Sequence, residues 1–182
     1  MEDITRIAEL LENQPRNLCY FILGCNTNLR TCDMVKLKVS QVKNLKEDGI
    51  LILRESKTEK VRRIPLNIAC IEVIQNLLSK GNFKDTDFLL RNPQNGLQFS
   101  TIYACQLVKK WCAELKIEGN YGAHTPRKTW AYHQRVTQGE SLPNIMVALN
   151  HSTQRQTLDY LCIQEAETLK MYKMVLGKKK EE

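Results

Sequence analysis

The sequence has no apolar run long enough to span a membrane and no C-x-x-C pair. It begins with Glu2 and Asp3 rather than with the basic residues of a secretory signal peptide. Its seven cysteines are an odd number, which argues against a disulfide framework, and their spacing argues against a zinc site. Several cysteines lie in apolar settings, so we expect an intracellular protein in which they are small buried hydrophobic residues.

The chain also lacks internal repeats and low-complexity tracts, apart from a charged tail at residues 178–182. Its length of 182 residues fits one domain with a sizeable core. It has 27 Lys and Arg residues against 20 Asp and Glu residues, a formal net charge of +7. This balance suits attraction to a polyanion, although many basic proteins bind no nucleic acid and a lysine tail is often only solvated.

Most of the chain carries helical signals. Ile4, Ile7 and Leu11 recur at helical spacing, and Pro15 separates this helix from a second apolar one. Six later helices are predicted from apolar spacing or capping residues: after Pro65, from near Ser100, from Thr125, from Ser141, from Ser152 or Thr153, and over residues 165–176.

A small sheet is predicted between these helices. Residues 39–42, 50–53 and 60–66 are short, apolar or β-branched, and separated by turn-like residues. They predict a three-stranded antiparallel sheet, with Lys57 in the turn between the second and third strands. The fold class predicted is α+β, mostly helical.

The predicted helix at Thr125 has a phosphate-binding character. Thr125 is suited to cap the helix and Pro126 to occupy its first position. Arg127 then lies just inside the helix N-terminus, where free amide hydrogens also favour an anion.

Six residues spread along the chain are the parts needed to cleave a phosphodiester. They are Arg30, Lys57, His124, Arg127, His151 and Tyr160. A phosphoryl-transfer transition state spreads negative charge over non-bridging oxygens, so two arginines can clamp it. A lysine or histidine can protonate the leaving oxygen, and a phenol can attack the phosphorus. This scheme needs no metal and no cofactor.

Three of these residues also have an ordinary structural interpretation. Tyr160 could be a half-buried helix tyrosine, Arg30 could pair with Asp33, and Lys57 could be a solvated turn lysine. His133 matches no motif and is interpreted as a surface histidine or one satisfied within a helix.

Five short motifs occur in a fixed order along the chain. They are T-N-L-R-T-C-D around Arg30, E-S-K-T-E-K-V-R-R-I-P-L around Lys57, H-T-P-R ending at Arg127, L-N-H-S containing His151, and Tyr160 nine residues after that histidine. Over nearly its full length the chain therefore resembles the catalytic domain of the tyrosine recombinases, the phage integrase family. Asn28 and Asn150 stand where that family usually has glycine, and Asp33 takes the supporting acidic position where glutamate is commoner.

The resemblance implies the tyrosine recombinase catalytic-domain fold and an enzyme that cleaves and rejoins DNA. Tyr160 would attack the scissile phosphate, forming a 3′-phosphotyrosine and releasing a 5′-hydroxyl. Arg30 and Arg127 would hold the non-bridging oxygens, and Lys57 would protonate the leaving oxygen. Energy is kept in the covalent bond, so neither metal nor cofactor is implied.

The resemblance leaves the two motif histidines unranked. His124 could accept the phenol proton or bond the phosphate, and His151 would add a hydrogen bond in the transition state. Asp33 would support the fold around the first arginine.

The resemblance also implies double-stranded DNA as the partner and a cytoplasmic, nucleoid-associated location. We expect residues 1–182 to form a single catalytic domain without the family's N-terminal DNA-binding domain, and a homo-oligomer on DNA formed through the C-terminal segment. Two alternatives stay open: a non-cleaving DNA-binding regulator of the same fold, and a type IB topoisomerase-like enzyme.

Overall fold

The computed structural model describes residues 1–163, 168–169, 171–173 and 175. The described part contains eight α-helices and one β-hairpin. In chain order they are α1 (Glu2–Leu10), α2 (Pro15–Thr27), α3 (Thr31–Met34), β1 (Ile50–Arg54), β2 (Val61–Pro65), α4 (Ile68–Ser79), α5 (Thr101–Glu114), α6 (Thr125–Val136), α7 (Leu142–Leu149) and α8 (Gln154–Leu161).

The chain divides into two compact units, Met1–Trp130 and Ala131–Glu182. The first contains α1 to α5, the hairpin and the first half of α6, and the second contains α7 and α8. The prediction of one catalytic domain over residues 1–182 stays a prediction. The predicted tail at 178–182 lies outside the described residues, as does half of the predicted last helix at residues 165–176.

Helix α2 forms the centre of the first unit. Pro15 occupies its first turn, where the missing N–H costs nothing, and Tyr20 and Leu23 are fully buried in the core. The helix ends at Asn28, whose φ of 50° is in the left-handed region that closes many helices. Because α2 ends inside the core, Arg30 emerges from a rigidly packed position.

The hairpin explains the position of Lys57. β1 and β2 pair antiparallel, with Ile52 opposite Arg63, and Leu51 and Leu53 point into the core. Lys57 is exposed in the turn that joins the two strands, as the sequence predicts.

The prediction of a third strand at residues 39–42 is wrong. Val39–Gln41 is a 3₁₀ turn, in which the Gln41 side chain accepts a hydrogen bond from the Lys38 N–H at 2.8 Å. The Val39 N–H donates to the Asp87 carbonyl, so these backbone donors do not form a ladder with β1. Val39 and Val42 are both buried at a spacing of three, which is helical rather than strand-like.

The capping residues mostly act as predicted. Ser100, Ser141 and Thr153 each accept a hydrogen bond from a backbone N–H in the first turn of α5, α7 and α8, respectively. Thr125 differs, because it is the first helical residue of α6 and its hydroxyl accepts from the Gly122 N–H at 2.9 Å. It therefore fixes the loop that precedes the helix.

All seven cysteines lie in the described part and are free thiols. Burial is confirmed for three of the seven, Cys19, Cys70 and Cys112, whereas Cys25, Cys32 and Cys105 are half-buried. Burial raises the pKa of the Cys70 thiol to about 12. Cys162 is exposed. Among the described residues, no helix has both the length and the apolar character required to cross a membrane.

Candidate active site

Arg127 is a buried guanidinium at the start of α6. Only 1% of the residue is exposed, and Nη1 donates a hydrogen bond to the carbonyl oxygen of Asn28. Since Asn28 is the residue that ends α2, this bond joins the beginning of α6 to the end of α2. The second arginine of the predicted pair, Arg30, lies two residues further along the chain.

Arg30 forms an ion pair with a carboxylate that the motifs did not single out. Its Nη1 lies 2.7 Å from Oε1 of Glu55, a residue with 1% exposure. The same Oε1 accepts a hydrogen bond from Arg62 Nη1 at 2.9 Å. Arg62 Nη2 in turn donates to Asn28 Oδ1 at 2.8 Å.

The turn that carries Lys57 is fixed on both sides of that residue. The Ser56 N–H donates to Asp33 Oδ1 at 2.8 Å, and the Thr58 hydroxyl donates to Glu55 Oε2 at 2.6 Å. Lys57 itself is exposed. A flexible cation is thus held on a turn whose backbone is anchored to α3, next to Arg30.

His124 lies in the positive field of the other predicted residues. Desolvation lowers its pKa below the ordinary 6.5, and the charges of Arg127, Lys128, Arg30 and Lys57 lower it further, in that order. The residue as a whole is nevertheless exposed. Near neutral pH the imidazole is therefore uncharged and able to accept a proton.

A second set of hydrogen bonds places the His124 loop beside α3. The Thr31 hydroxyl donates to the Ala123 carbonyl at 2.7 Å, and the Tyr20 hydroxyl lies 3.2 Å from Thr31 Oγ1. Burial is the main cause that raises the pKa of Tyr20 to about 12. Because Thr31 follows Arg30 and Ala123 precedes His124, these bonds bring the two motifs together.

The second unit brings His151 and Tyr160 together. Their ring centroids lie 4.8 Å apart at an interplanar angle of 74°, an edge-to-face contact. His151 Nδ1 and Thr157 Oγ1 form a hydrogen bond of 3.2 Å, and Thr157 is fully buried. Asn150, with φ of 55°, ends α7 and turns the chain toward α8.

The six sequence-predicted residues therefore fall into two groups. Arg30, Lys57, His124 and Arg127 belong to the unit Met1–Trp130, and His151 and Tyr160 belong to the unit Ala131–Glu182. His133, which was assigned no role, forms a hydrogen bond of 2.9 Å with Thr137 Oγ1, as expected for a histidine satisfied within its helix.

A sequence model of the phage integrase family matches residues 1–167. The chain belongs to the phage integrase family. A relative from Bacillus subtilis (strain 168), probable integrase/recombinase YoeC, is 31% identical over 180 residues, which cover 97% of this chain and 94% of the relative. Family membership, inferred from five motifs, is thus confirmed.

Solved structures of two recombinases share the fold. The crystal structure of XerA recombinase matches with a TM-score of 0.78 at 20% identity, over 95% of this chain and 61% of XerA. The XerH site-specific recombinase, bound to a palindromic difH substrate in a post-cleavage complex, matches with a TM-score of 0.76 at 17% identity, over 95% of this chain and 51% of XerH. This integrase-family chain thus spans between a half and two thirds of each, and the predicted catalytic-domain fold is confirmed apart from the third strand.

The motif comparison missed Glu55 and Arg62 in this integrase-family chain. A signal for Glu55 was present, because Leu51, Leu53 and Glu55 alternate in the sequence and all three are buried. A carboxylate on a buried face requires cationic or hydrogen-bonding partners. The partners of Glu55 come from remote segments of the chain, and the sequence pattern does not reveal which cations they are.

Proposed function

We propose that this chain is a site-specific DNA recombinase, or integrase, that cleaves and rejoins double-stranded DNA through a 3′-phosphotyrosine intermediate. The observation that carries the proposal is the convergence of Arg30, Lys57, His124 and Arg127 within one unit of a phage integrase family chain. The names of YoeC and XerH as recombinases, and the post-cleavage complex of XerH, support the reaction class.

The covalent step forms one bond and breaks one. The phenolic oxygen of Tyr160 bonds to the scissile phosphorus, and the bond from phosphorus to the 5′ oxygen breaks. Lys57 gives a proton to that leaving oxygen. Arg30 and Arg127 stabilise the non-bridging oxygens, for which the planar guanidinium fork is suited. That Tyr160 reaches the phosphate held by these arginines is part of the proposal.

The two histidines take different roles in this scheme. The lowered pKa of His124 supports a role as the acceptor of the phenol proton, because a neutral imidazole is available at neutral pH. The edge-to-face contact of His151 with Tyr160 supports a role in orienting the nucleophile. In the reverse reaction the 5′-hydroxyl of a second strand attacks the phosphotyrosine, so rejoining requires no added energy source.

The proposal includes one catalytic domain over residues 1–182, an association with the nucleoid, and a homo-oligomer on DNA formed through the C-terminal segment. In that segment Leu169, Tyr172 and Val175 are exposed apolar residues. With a net charge of +7, binding to DNA should weaken steeply as the salt concentration rises.

A nicked suicide substrate tests the proposal. The DNA is taken from sequence repeats that flank the gene, with a nick close to the cleavage point so that the released strand diffuses away. Wild type should form a covalent adduct visible by denaturing electrophoresis, and Tyr160→Phe should form none. Tyr132→Phe is a matched control, since Tyr132 also has a histidine ring, that of His133, against its edge. It should retain the adduct.

Two other outcomes would replace this proposal. If a band-shift assay shows saturated DNA binding but no adduct forms, the chain is a non-cleaving regulator. If wild type relaxes a supercoiled plasmid that contains none of the flanking repeats, a type IB topoisomerase-like activity is favoured instead.

A further inference from the structure

The two arginines proposed to hold the phosphate are joined by a continuous chain of buried and part-buried polar contacts. Arg30 pairs with Glu55 at 2.7 Å, and Glu55 accepts a hydrogen bond from Arg62 at 2.9 Å. Arg62 donates to the Asn28 side chain at 2.8 Å, and the Asn28 carbonyl accepts from Arg127. We call these five residues the arginine network. All of them lie in the unit Met1–Trp130.

The arginine network is shielded from solvent. The side chains of Arg30 and Arg62 are 13% and 15% exposed, and Glu55 is almost completely buried. At this burial, contacts between charges are screened less by water and salt than at the surface. The contacts can therefore hold their partners in fixed positions.

The charge of the network suits a phosphate ligand. It contains three arginines and one carboxylate, so positive charge remains after the internal pairs are formed. Glu55 neutralises part of the repulsion between Arg30 and Arg62 without cancelling the attraction for an anion. Arg30 Nη1 lies 2.7 Å from Glu55 Oε1 without meeting hydrogen-bond geometry, so this contact is an ion pair.

Arg62 connects the two ends of the network. Nη1 contacts Glu55 and Nη2 contacts Asn28, so the rigid guanidinium fork sets the distance between those partners. A lysine ammonium is a point charge on a flexible stem and lacks that fork. Arg63, the next residue of β2, is exposed and provides a matched comparison.

We propose that Glu55 and Arg62 are positioning residues, which set Arg30 and Arg127 in register for the same phosphate. This inference builds on the proposed function. An alternative is that the pair only stabilises the hairpin, because the Thr58 hydroxyl also donates to Glu55. If Glu55 and Arg62 position the two arginines, substituting either residue slows the cleavage of DNA that is already bound. If they only stabilise the hairpin, the cleavage rate on bound DNA is unchanged.

The first test compares cleavage rates at saturating suicide substrate. Arg62→Lys and Glu55→Gln should lower the single-turnover rate by roughly 10²-fold, since a small displacement of a catalytic group has that effect. Their dissociation constants for DNA should change far less. Arg63→Lys is the control for the arginine. Glu59→Gln is the control for the carboxylate, because Glu59 is 72% exposed and lies 3.9 Å from Arg54 on the same hairpin.

A second substrate separates positioning from simple loss of structure. A methylphosphonate at the scissile position has a methyl group in place of one non-bridging oxygen and carries no negative charge there. If Arg62 acts by placing the two clamping arginines, the loss caused by Arg62→Lys should be much smaller on this substrate, because less charge needs stabilising. Equal losses on both substrates would overturn the inference.

A third variant covers the case in which the buried substitutions prevent folding. Asn28→Gly keeps the carbonyl that accepts from Arg127 and tolerates the left-handed φ of 50°, but it removes the oxygen that binds Arg62. It should slow cleavage, and the double variant with Arg62→Lys should be no slower than Arg62→Lys alone.

Failure of the inference can be told from failure of the proposed function. If wild type forms the adduct and all three network variants cleave at control rates, the positioning role is wrong while the recombinase assignment stands. If wild type forms no adduct, the proposed function fails and this inference fails with it.

Discussion

Asp33 Oδ1 accepts a hydrogen bond from the backbone N–H of Ser56 at 2.8 Å, across 23 residues of sequence. Asp33 is buried in α3, the helix that begins directly after Arg30. Ser56 precedes Lys57 in the hairpin turn. The bond therefore ties the proposed general acid to the helix that begins beside the first arginine. It supports the predicted structural role of Asp33, which stays a prediction until variants are measured.

We expect Asp33→Ala to lower both stability and cleavage. The Ser56 N–H would lose the carboxylate acceptor of a part-buried hydrogen bond, which should cost about 1–3 kcal/mol in the free energy of unfolding measured with urea. Asp33→Asn keeps an acceptor oxygen and should retain more of both. Asp85→Ala removes an exposed ion pair with Lys43 and should cost less than about 1 kcal/mol. If the Asn and Ala variants are equally impaired, the charge of Asp33 matters rather than this bond.

Local signals predicted most of the fold correctly. Pro15, Ser100 and Ser141 mark helix starts through chemistry confined to one turn, so each could be read from a few residues. The turn at Lys57 was also predicted, because two apolar segments flank polar residues. Residues 39–42 differ from a strand because their two apolar residues, Val39 and Val42, lie three apart, which is a helical spacing.

Contacts between remote segments were less accessible from the sequence. Arg30 and Arg127 were identified by motif, but their connection through Glu55 and Arg62 depends on how β1 and β2 lie against the end of α2. Asn28 illustrates the point. It was noted only as a departure from the usual glycine, yet its side chain and its carbonyl each bind an arginine.

The pKa of His124 provides a test of the local field. Desolvation is the largest cause of its shift, and the charges of Arg127 and Lys128 are the next largest. All three lower the pKa below 6.5. His124 therefore binds its proton more tightly in the unfolded chain than in the folded protein. The contribution of neutral His124 to stability is present above pH 6.5 and is lost as the pH falls through the lower, folded-state pKa.

We therefore expect an NMR titration of the His124 ring to give a pKa below 6.5, and the cleavage rate to decline only at more acidic pH. Lys128→Gln removes one of the nearby charges, so it should raise this pKa and move the acid limb of the rate profile upward. Added salt should reduce the difference between the two proteins. A wild-type pKa at or above 6.5 would contradict the proposed role of His124 as proton acceptor.

The hydrogen bond between His151 and Thr157 should influence the nucleophile. Thr157→Val is nearly isosteric at a fully buried site, and it removes only the hydroxyl that meets His151 Nδ1. We expect the ring of His151 to lose its fixed orientation against Tyr160, and the single-turnover cleavage rate to fall severalfold. Thr157→Ser keeps the hydroxyl and should cleave faster than the valine variant. The opposite order would show that packing, not the hydrogen bond, is what matters.

Close packing of α2 against the start of α6 should make Gly24 intolerant of substitution. A Cβ at Gly24 would lie 2.6 Å from Cβ of Pro126, part of a rigid ring that cannot rotate away. Helix propensity alone favours alanine over glycine by about 1 kcal/mol. Overpacking in a buried site costs about 1–3 kcal/mol, so we expect Gly24→Ala to be less stable than wild type in urea.

The same substitution should also slow cleavage, because Pro126 precedes Arg127 and any movement of the first turn of α6 displaces that guanidinium. Pro126→Gly removes the opposing carbon, so the double variant should lose less stability than the sum of the single variants. A Gly24→Ala protein that is more stable than wild type and cleaves at its rate would show that α2 and α6 can separate without disturbing the arginine network.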